Sequence, residues 1–544
     1  MDDAQSDHLK AYGVTYHVVQ AGIKAEWLLN YRGGSFLLPD GPAIRRDAAL
    51  AGVSVEPVEE SRVTAIRGEI EASNMDAVPL EKAPKVAVYV PPNAPPWDDA
   101  VTMALQYAGI PFDKVWDFEV LGGKLPGYDW LHLHHEDFTG QYSKFYLIYA
   151  GQPWLAEMVR FNADAAKQLG AATVPALKKA VARHIRDYVG NGGFLFAMCT
   201  ATETIDLALA AERVDIAAAF ADGTPMDPEA DAKLDWSKTL AFTGAHIEPS
   251  PQIASFSDID GHQVNAGPRR QPLGAFKLFN FSAKIDPVPT MLVQSHRQVI
   301  PDFYGLTTSF VRDRLKPSDL VLADEEGAPW VKYIHGDHGK GTWTFFGGHD
   351  PEDQQHQIGD PPTDLSLHPH SPGYRLILNN VLFPAEEARA EDVSAERLVP
   401  AVRDLIRAEI SSAHGREVSF VARPDANGLI VEARVVARGT VDAVLALPGI
   451  AVRGEMLLHN HPSGVLEPSG ADLAVAARLH DGGVGFAIVD NAVTDCYVVV
   501  ECPRPRATAR IDPIDVAALL APSGPIARAL GSFEDRPSQR DMAA

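Results

Sequence analysis

The sequence predicts an α/β protein in which a large doubly wound domain, residues 81–385, precedes a smaller α+β domain, residues 400–503. Two observations support this prediction. In the first domain, nearly continuous apolar strand patterns alternate with helical patterns, as in a parallel sheet that helices cover on both faces. In the second, strand patterns surround a short segment with two histidines, which leads into a helix and indicates a metal site at a strand end.

The composition is that of an ordinary globular protein. Hydrophobic residues make up 46% and charged residues 22% of the 544 positions, and a chain of this length exceeds one core, so about two to four domains are expected. The formal net charge of -24 argues against direct binding of nucleic-acid phosphates. The chain as a whole is therefore not expected to bind nucleic acid directly.

The cysteines and the amino terminus predict a cytoplasmic location without membrane attachment. Only three cysteines occur, a sparse and odd number that suits a reducing compartment better than a disulfide framework. The first residues are acidic and polar, unlike a signal peptide, and no run approaches the roughly 20 apolar residues that a bilayer crossing requires.

The sequence predicts that residues 1–80 form a separate α/β segment. Short apolar runs at 14–19 and 53–58 have the pattern of strands, and residues 43–50 have the pattern of a helix between them. A polar, proline-bounded stretch at 76–84 predicts a hinge into the next domain.

The domain at 81–385 is predicted from repeated strand and helix patterns. The run 85–90 is apolar almost throughout, which is typical of a strand buried on both faces of a parallel sheet. Strands are predicted at 113–116, 130–134 and 194–198, and helices at 97–108 and 174–189. The glycine-rich segment 336–341 does not match a phosphate-binding loop and predicts a hairpin turn.

Cys199 is a candidate nucleophile in this domain. It follows the strand 194–198 and precedes a helix, which is the order of a nucleophile elbow, where the helix dipole makes a thiol more acidic. Far downstream, the strand that begins at Gly341 ends close to His349 and Glu352. The alternative is that Cys199 is a small buried hydrophobic residue, as free cysteines often are.

This arrangement resembles the class I glutamine amidotransferase-like fold and is nearest to its ThuA-like relatives. The resemblance implies a catalytic triad of Cys199, His349 and Glu352. This chain reads His-Asp-Pro-Glu from His349 to Glu352, where the family pattern is His-Pro-Glu. The implied activity is amide hydrolysis or amide transfer through the Cys and His pair.

Residues 8–385 also resemble bacterial proteins often labelled asparagine synthetase B, most closely over 128–142 and 359–365. An asparagine synthetase of that name would have an amino-terminal nucleophilic cysteine and a Ser-Gly-Gly-x-Asp-Ser phosphate loop. The chain has neither, so the resemblance implies the fold and not the activity.

A histidine-rich cluster ends the predicted strand 130–134. It consists of His132, His134 and His135, followed by Glu136 and Asp137. Ligand sites of open α/β sheets lie at the carboxyl ends of the strands, so the cluster is expected beside Cys199 and His349. The alternative is a polar strand end with hydrogen-bonded histidines.

The second domain carries the spacing that a metal ion demands. Side chains two apart on a strand point to the same side, so His459 and His461 can reach one ion. Asp472, at the start of an apolar helical run, can supply a third and anionic ligand. Two nitrogens and one carboxylate leave the fourth tetrahedral position of Zn²⁺ open, as in catalytic zinc sites.

The motif resembles that of the JAMM (JAB/MPN+) metalloproteases, in which His-x-His is followed after seven residues by Ser and after two more by Asp. The segment His-Asn-His-Pro-Ser-Gly resembles the RadC branch of that family. The resemblance covers about 400–503 and implies a cytidine deaminase-like fold. It also implies that Glu417 is the general acid and base, with Glu432 and Glu455 as competitors, and that Ser469 donates to the oxyanion. The alternative is a loop whose histidines only cap a helix.

The resemblance implies a zinc-dependent hydrolase that cleaves a peptide or isopeptide bond, with a possible link to DNA repair. Linkers are predicted at 386–399, where the composition becomes Ala/Glu-rich, and from 504, where it becomes Pro/Arg-rich. Residues 522–539 resemble the start of a DinG-type helicase without a Walker A loop, which suggests a truncated or fused reading frame. A helicase or DNA-repair partner, with both domains acting as binding modules, is the alternative function.

Overall fold

The computed structural model of the chain describes residues 1–502, with gaps at 93–97, 252, 263–273, 280–281, 285, 287, 293–296, 355–357, 386–397, 414–416, 426–427, 439–449, 462–465, 467, 469, 492 and 494–495. The chain divides into two units, residues 1–389 and 390–544. Most of the linker predicted at 386–399, and all of the linker and helicase-like stretch predicted at 504–544, lie outside the described residues.

The first unit contains helices and strands throughout its described length. Its helices are α1 His8–Gln20, α2 Pro42–Ala51, α3 Glu60–Ala72, α4 Ala100–Ala108, α5 Asp117–Leu121, α6 Phe145–Ile148, α7 Pro153–Gln168, α8 Val174–Gly190, α9 Thr200–Ala210, α10 Ala219–Asp222, α11 Ala230–Lys233 and α12 Pro372–Leu382. Its strands are β1 Ala25–Leu29, β2 Ser35–Leu37, β3 Asp76–Leu80, β4 Val86–Tyr89, β5 Phe112–Val115, β6 Trp130–Leu133, β7 Phe194–Met198, β8 Ala275–Leu278, β9 Val299–Pro301, β10 Phe310–Val311, β11 Leu320–Glu325, β12 Trp330–His338 and β13 Gly341–Phe346.

The main sheet of this unit has the strand order β5-β4-β6-β7-β13-β12-β11-β8-β9, with β10 paired to β12. The strands β5, β4, β6, β7 and β13 run parallel to one another. All residues of β4, β6 and β7 are buried, as expected for strands that are covered on both faces. The α/β prediction is confirmed.

The other half of the sheet is antiparallel, which the sequence did not predict. From β13 outwards, β12, β11, β8 and β9 each pair antiparallel with their neighbour. A tight turn joins β12 to β13 at Gly339, whose φ of +64° is in the left-handed region that glycine favours. The predicted hairpin turn is confirmed, and a strand that returns through a turn this short must be antiparallel.

Side chains alternate between two cores on the two faces of the parallel strands. In β4, Val86 and Val88 face the core formed with α1, α4 and α12, whereas Ala87 and Tyr89 face the core formed with α8 and α9. The helices on both faces explain why these strands are apolar at successive positions and not at alternate ones.

The first eighty residues differ from prediction. The expected strand at 14–19 lies inside α1, where Asp7 caps the helix by accepting a hydrogen bond from Lys10 N at 2.9 Å. Most of α1 is buried, so its apolar run reflects a helix surrounded by protein. The strand expected at 53–58 is absent from the described elements, whereas the predicted helix 43–50 corresponds to α2.

The second unit is a smaller α+β fold. Its helices are α13 Pro400–Ser412 and α14 Gly470–Asp481, and its strands are β14 Val418–Pro424, β15 Ile430–Arg438, β16 Met456–Asn460, β17 Gly485–Val489 and β18 Cys496–Val500. The sheet order is β15-β14-β16-β17-β18, and the β16–β17 pair is parallel while the others are antiparallel. A parallel pair needs a crossover, which α14 supplies.

The faces of the second sheet carry different roles. Met456 and Leu458 of β16 point into an apolar core with Ile406 and Ile410 of α13. Because side chains alternate, His459 points to the opposite face. Among the described residues of both units, none of the helices has the length and apolar character needed to cross a bilayer.

Candidate functional site

The predicted metal ligands of the second unit lie together. His459 is on β16, His461 follows that strand directly, and Asp472 is in the first turn of α14. One ligand atom from each lies within 4.8 Å of the others. His459 Nε2 is 3.4 Å from Asp472 Oδ1, and His461 Nε2 is 3.0 Å from Asp472 Oδ2. The helix thus returns its carboxylate to the strand end, as the spacing predicted.

Glu417 reaches the same place from a different strand. It directly precedes β14, which pairs antiparallel with β16 so that Ser419 lies opposite His459. Its Oε1 atom is 3.7 Å from His459 Nδ1, and the residue is 5% exposed. Strand pairing therefore places the predicted acid and base beside the ligands although 42 positions separate Glu417 from His459.

Asn460 is a positioning residue that sequence reasoning missed. Its Oδ1 atom accepts a hydrogen bond from Val418 N at 2.8 Å, and its Nδ2 donates to Asn491 Oδ1 at 2.8 Å. The side chain is fully buried. It fixes the start of β14, and hence Glu417, against β16. The sequence did contain a signal for this role. Asn460 lies between the two histidines, so on a strand its polar side chain must point to the face opposite theirs.

Burial and charge shift the pKa values of this site. Burial raises the pKa of Glu417, the negative charge of Asp472 raises it further, and His461 offsets part of the rise. Burial lowers the pKa of His459 to about 4, with Asp472 opposing the shift. His459 is therefore neutral at pH 7, the form whose lone pair binds a metal ion.

The residues present fit a zinc ion. Both ring nitrogens of His459 are buried and have no hydrogen-bond partner among the described residues. Burial removes these nitrogens from water, which would otherwise hydrogen-bond to them. A cation bound between the His459 ring and the buried carboxylate of Asp472 would replace that lost interaction. Two histidines and one carboxylate are the protein ligands of several catalytic zinc sites.

Ser469 lies outside the described residues. The two competing glutamates, Glu432 and Glu455, bond to groups other than the proposed ligands. Glu432 is exposed and pairs with Arg423 at 2.6 Å. Glu455 is half-buried and accepts a hydrogen bond from Val452 N at 2.9 Å. Among the three glutamates, Glu417 is the one that contacts a proposed ligand.

Cys199 stands at a strained turn between β7 and α9. Its φ of +51° is in the left-handed region that residues with a Cβ rarely adopt, which is typical of a nucleophile elbow. The thiol is buried, with Leu306 N at 3.3 Å and Thr200 Oγ1 at 3.7 Å from Sγ. Burial raises the pKa of Cys199, and these nearby hydrogen-bond donors offset only part of the rise.

His349 and Glu352 contact other side chains. The His349 ring packs against that of His134 with centroids 4.4 Å apart. Glu352 Oε2 lies 3.0 Å from His368 Nδ1. The catalytic triad of Cys199, His349 and Glu352 stays a prediction.

Alkylation tests whether Cys199 is an activated thiol. Because its pKa is raised, we expect iodoacetamide to label Cys199 slowly at about pH 7 and to react faster only as the pH rises above the ordinary thiol range. Peptide mass spectrometry measures the rate, with the half-buried Cys502 and the urea-unfolded chain as references. Labelling of folded Cys199 at pH 7 that is faster than in the unfolded chain would instead support the amidotransferase-like mechanism.

The histidines predicted to lie near Cys199 do cluster at the carboxyl ends of the parallel strands. His132 lies near the end of β6, with its ring centroid 5.4 Å from that of His134, and His134 lies beside His135 and His349. His134 O accepts a hydrogen bond from Ala201 N at 3.0 Å. Asp137 has a loop-building role instead, since its carboxylate accepts hydrogen bonds from three backbone N–H groups of the following turn.

Comparison with known proteins finds similarity within the second unit. Residues 398–502 match the RadC-like JAB domain family. A UPF0758 protein of Vibrio atlanticus is 35% identical over 92 residues, which are 15% of this chain and 40% of that protein. UPF0758 proteins of Cellvibrio japonicus and Ectopseudomonas mendocina are each 33% identical, over 18% and 21% of this chain and 46% and 52% of their own lengths.

The chain spans about half or less of the length of these curated relatives. Among solved structures, a cytoplasmic protein of Salmonella typhimurium covers 55% of this chain and 97% of its own, at 12% identity and a TM-score of 0.27. A second one, from strain LT2, covers 56% and 99% with the same identity and TM-score.

Proposed function

We propose that the RadC-like JAB domain is a zinc-dependent hydrolase of the JAMM type that cleaves peptide or isopeptide bonds. The observation that supports this most strongly is the convergence of His459, His461 and Asp472, with Glu417 beside them. The family match supports the hydrolase class. The substrate class is proposed from the resemblance to JAMM proteases.

His459, His461 and Asp472 would hold the zinc ion, and Asp472 would supply the negative charge. A bound zinc ion is a Lewis acid that polarises a carbonyl and makes hydroxide available near neutral pH. The burial of His459 and Asp472, which are 0% and 1% exposed, keeps competing water away from the ligand atoms. His461 is the more exposed ligand, with 16% of its side chain accessible, and it marks the side from which a substrate approaches.

Glu417 would move the proton. Its pKa is raised by burial and by Asp472, towards the pH at which a carboxylate both accepts and returns a proton efficiently. It would take a proton from the attacking water and deliver it to the leaving amine. Ser469, in the role that the family resemblance implies, would donate a hydrogen bond to the oxyanion on the attacked carbonyl.

Zinc stoichiometry tests the proposal. The full chain, stripped with a chelator and dialysed against zinc in slight excess over the sites, should bind one more zinc ion than the His459→Ala/His461→Ala variant. His480→Ala, which removes an exposed histidine of α14, is the matched control and should bind as much as the natural chain. Elemental analysis measures the difference, and equal zinc contents in all three proteins would refute the site.

A further inference from the structure

A second group of metal-type ligands lies in the first unit, at the carboxyl edge of the parallel strands. The chain leaves β4 for β5 on one side and then returns to β6 on the other side of β4. The gap between β4 and β6 is therefore the switch point of the sheet, where open α/β folds bind ligands. Asp99 comes after β4, His132 is in β6, and His134 directly follows that strand.

The three side chains converge closely. One ligand atom each from Asp99, His132 and His134 lies within 4.8 Å of the others. Asp99 Oδ2 is 3.5 Å from His132 Nε2, and Asp99 Oδ1 is 3.6 Å from His134 Nδ1. Ligand atoms about 2.1 Å from one zinc ion lie about 3.4 Å apart in a tetrahedron, so these separations are close to those of a bound site.

The hydrogen bonding of His132 calls for a cation. Its Nδ1 lies 3.0 Å from Phe196 O, and a carbonyl can only accept, so the Nδ1 atom carries the proton. In the neutral ring, Nε2 is then an acceptor, and it faces the Asp99 carboxylate, which is also an acceptor. His132 Nε2 is buried without a hydrogen-bond partner among the described residues. Either a second proton or a metal ion must separate the two lone pairs.

We propose that Asp99, His132 and His134 bind a divalent transition metal ion such as zinc. Two imidazole nitrogens and one carboxylate leave positions open for an exogenous ligand, and this donor set suits zinc, iron, cobalt or nickel over calcium or magnesium. The Phe196 carbonyl orients His132, as backbone carbonyls do for metal-bound histidines. No ligand of this site belongs to the RadC-like domain, so the proposal is independent of the function proposed above.

The role of Asp99 as a helix cap does not account for this arrangement. Its Oδ1 atom accepts a hydrogen bond from Thr102 N at 2.8 Å and caps α4. Capping uses one oxygen, and Oδ2 still faces His132. The His-x-His spacing of residues 132 and 134 also repeats that of His459 and His461, with an aspartate as the third ligand in both units.

The test uses the full chain in the His459→Ala/His461→Ala background, which lacks the ligands of the second unit. This protein should still bind one Zn²⁺ per chain in equilibrium dialysis, and Co²⁺ in its place should give the ligand-field absorption of a nitrogen- and oxygen-bound ion. Adding Asp99→Asn, which retains the cap, or His134→Asn should weaken Zn²⁺ binding at least about 100-fold. His184→Ala on the exposed side of α8 is the control.

Three outcomes decide the proposal. Loss of binding with Asp99→Asn and with His134→Asn, and not with His184→Ala, supports it. If the background protein binds no Zn²⁺, or if Asp99→Asn and His134→Asn bind as tightly as the background, the buried pair is a charged His132–Asp99 ion pair and the metal site is refuted. Circular dichroism of each metal-free variant separates lost binding from lost folding, and Asp99→Asn remains the deciding variant if His134→Asn does not fold.

Discussion

Replacing Glu417 by glutamine is expected to lower the rate of peptide or isopeptide hydrolysis by the zinc-loaded chain about 100- to 10,000-fold, the range that general acid and base catalysis contributes. Glutamine keeps the size and polarity of the side chain but cannot accept or return the proton. Since Glu417 is not one of the three proposed ligands, zinc content should not change. Internally quenched peptides with α-peptide or ε-lysyl isopeptide bonds provide the rate, and elemental analysis provides the zinc content.

The matched control is Glu432→Gln. Glu432 lies on β15, next to β14, but its carboxylate is exposed and pairs with Arg423. This variant should hydrolyse the substrates at the natural rate. Unchanged hydrolysis in Glu417→Gln would remove Glu417 from the chemistry, and loss of zinc in that variant would reassign it as a ligand. A natural, zinc-loaded chain that hydrolyses none of the substrates would contradict the peptidase assignment and leave the metal site standing.

Replacing Lys332 by methionine is expected to destabilise the first unit by about 3–5 kcal/mol. Lys332 is 0% exposed, its Nζ lies 2.6 Å from Asp302 Oδ1, and it donates to Phe303 O at 2.8 Å and Thr308 O at 2.9 Å. Methionine fills the space and leaves Asp302, 2% exposed, without a counter-charge. Burial raises the pKa of Asp302 against the attraction of Lys332, so the carboxylate would take up a proton when the lysine is lost.

Urea unfolding measures this loss as a lower midpoint with an unchanged slope for the transition of the first unit. The exposed Lys277→Met on β8 is the control and should stay within about 0.5 kcal/mol of the natural chain. Adding Asp302→Leu to Lys332→Met should recover most of the stability, because an apolar pair has no charge to compensate. A Lys332→Met midpoint equal to that of the Lys277 variant would contradict the buried ion pair.

Local patterns predicted most of the strands that matter for the sites. The segment 194–198 corresponds to β7 because five successive apolar residues suit a strand buried on both faces. The pattern at 14–19 misled because a helix with protein on all sides is as uniformly apolar as a buried strand. The hydrophobic pattern indicates how much of a segment is buried. Whether a fully buried segment forms a helix or a strand depends on the elements that pack against it in the folded protein.

The antiparallel half of the first sheet shows the same limit. The chain returns through the short turn at Gly339, and β11 pairs with β8 and not with β10, its neighbour in sequence. A strand pattern does not record its partner or its direction, because either direction satisfies the same backbone groups.

By itself, the sequence determined which residues could bind a metal in the second unit, since His459, His461 and Asp472 lie within fourteen positions, on a strand, directly after it and at a helix start. The tertiary structure decided that Glu417, and not Glu432 or Glu455, joins them, and that Asp99 meets His132 and His134 in the first unit. The physical reason is that spacing along one strand or helix is set by its repeat, whereas contacts between elements depend on which strands pair and which faces are buried.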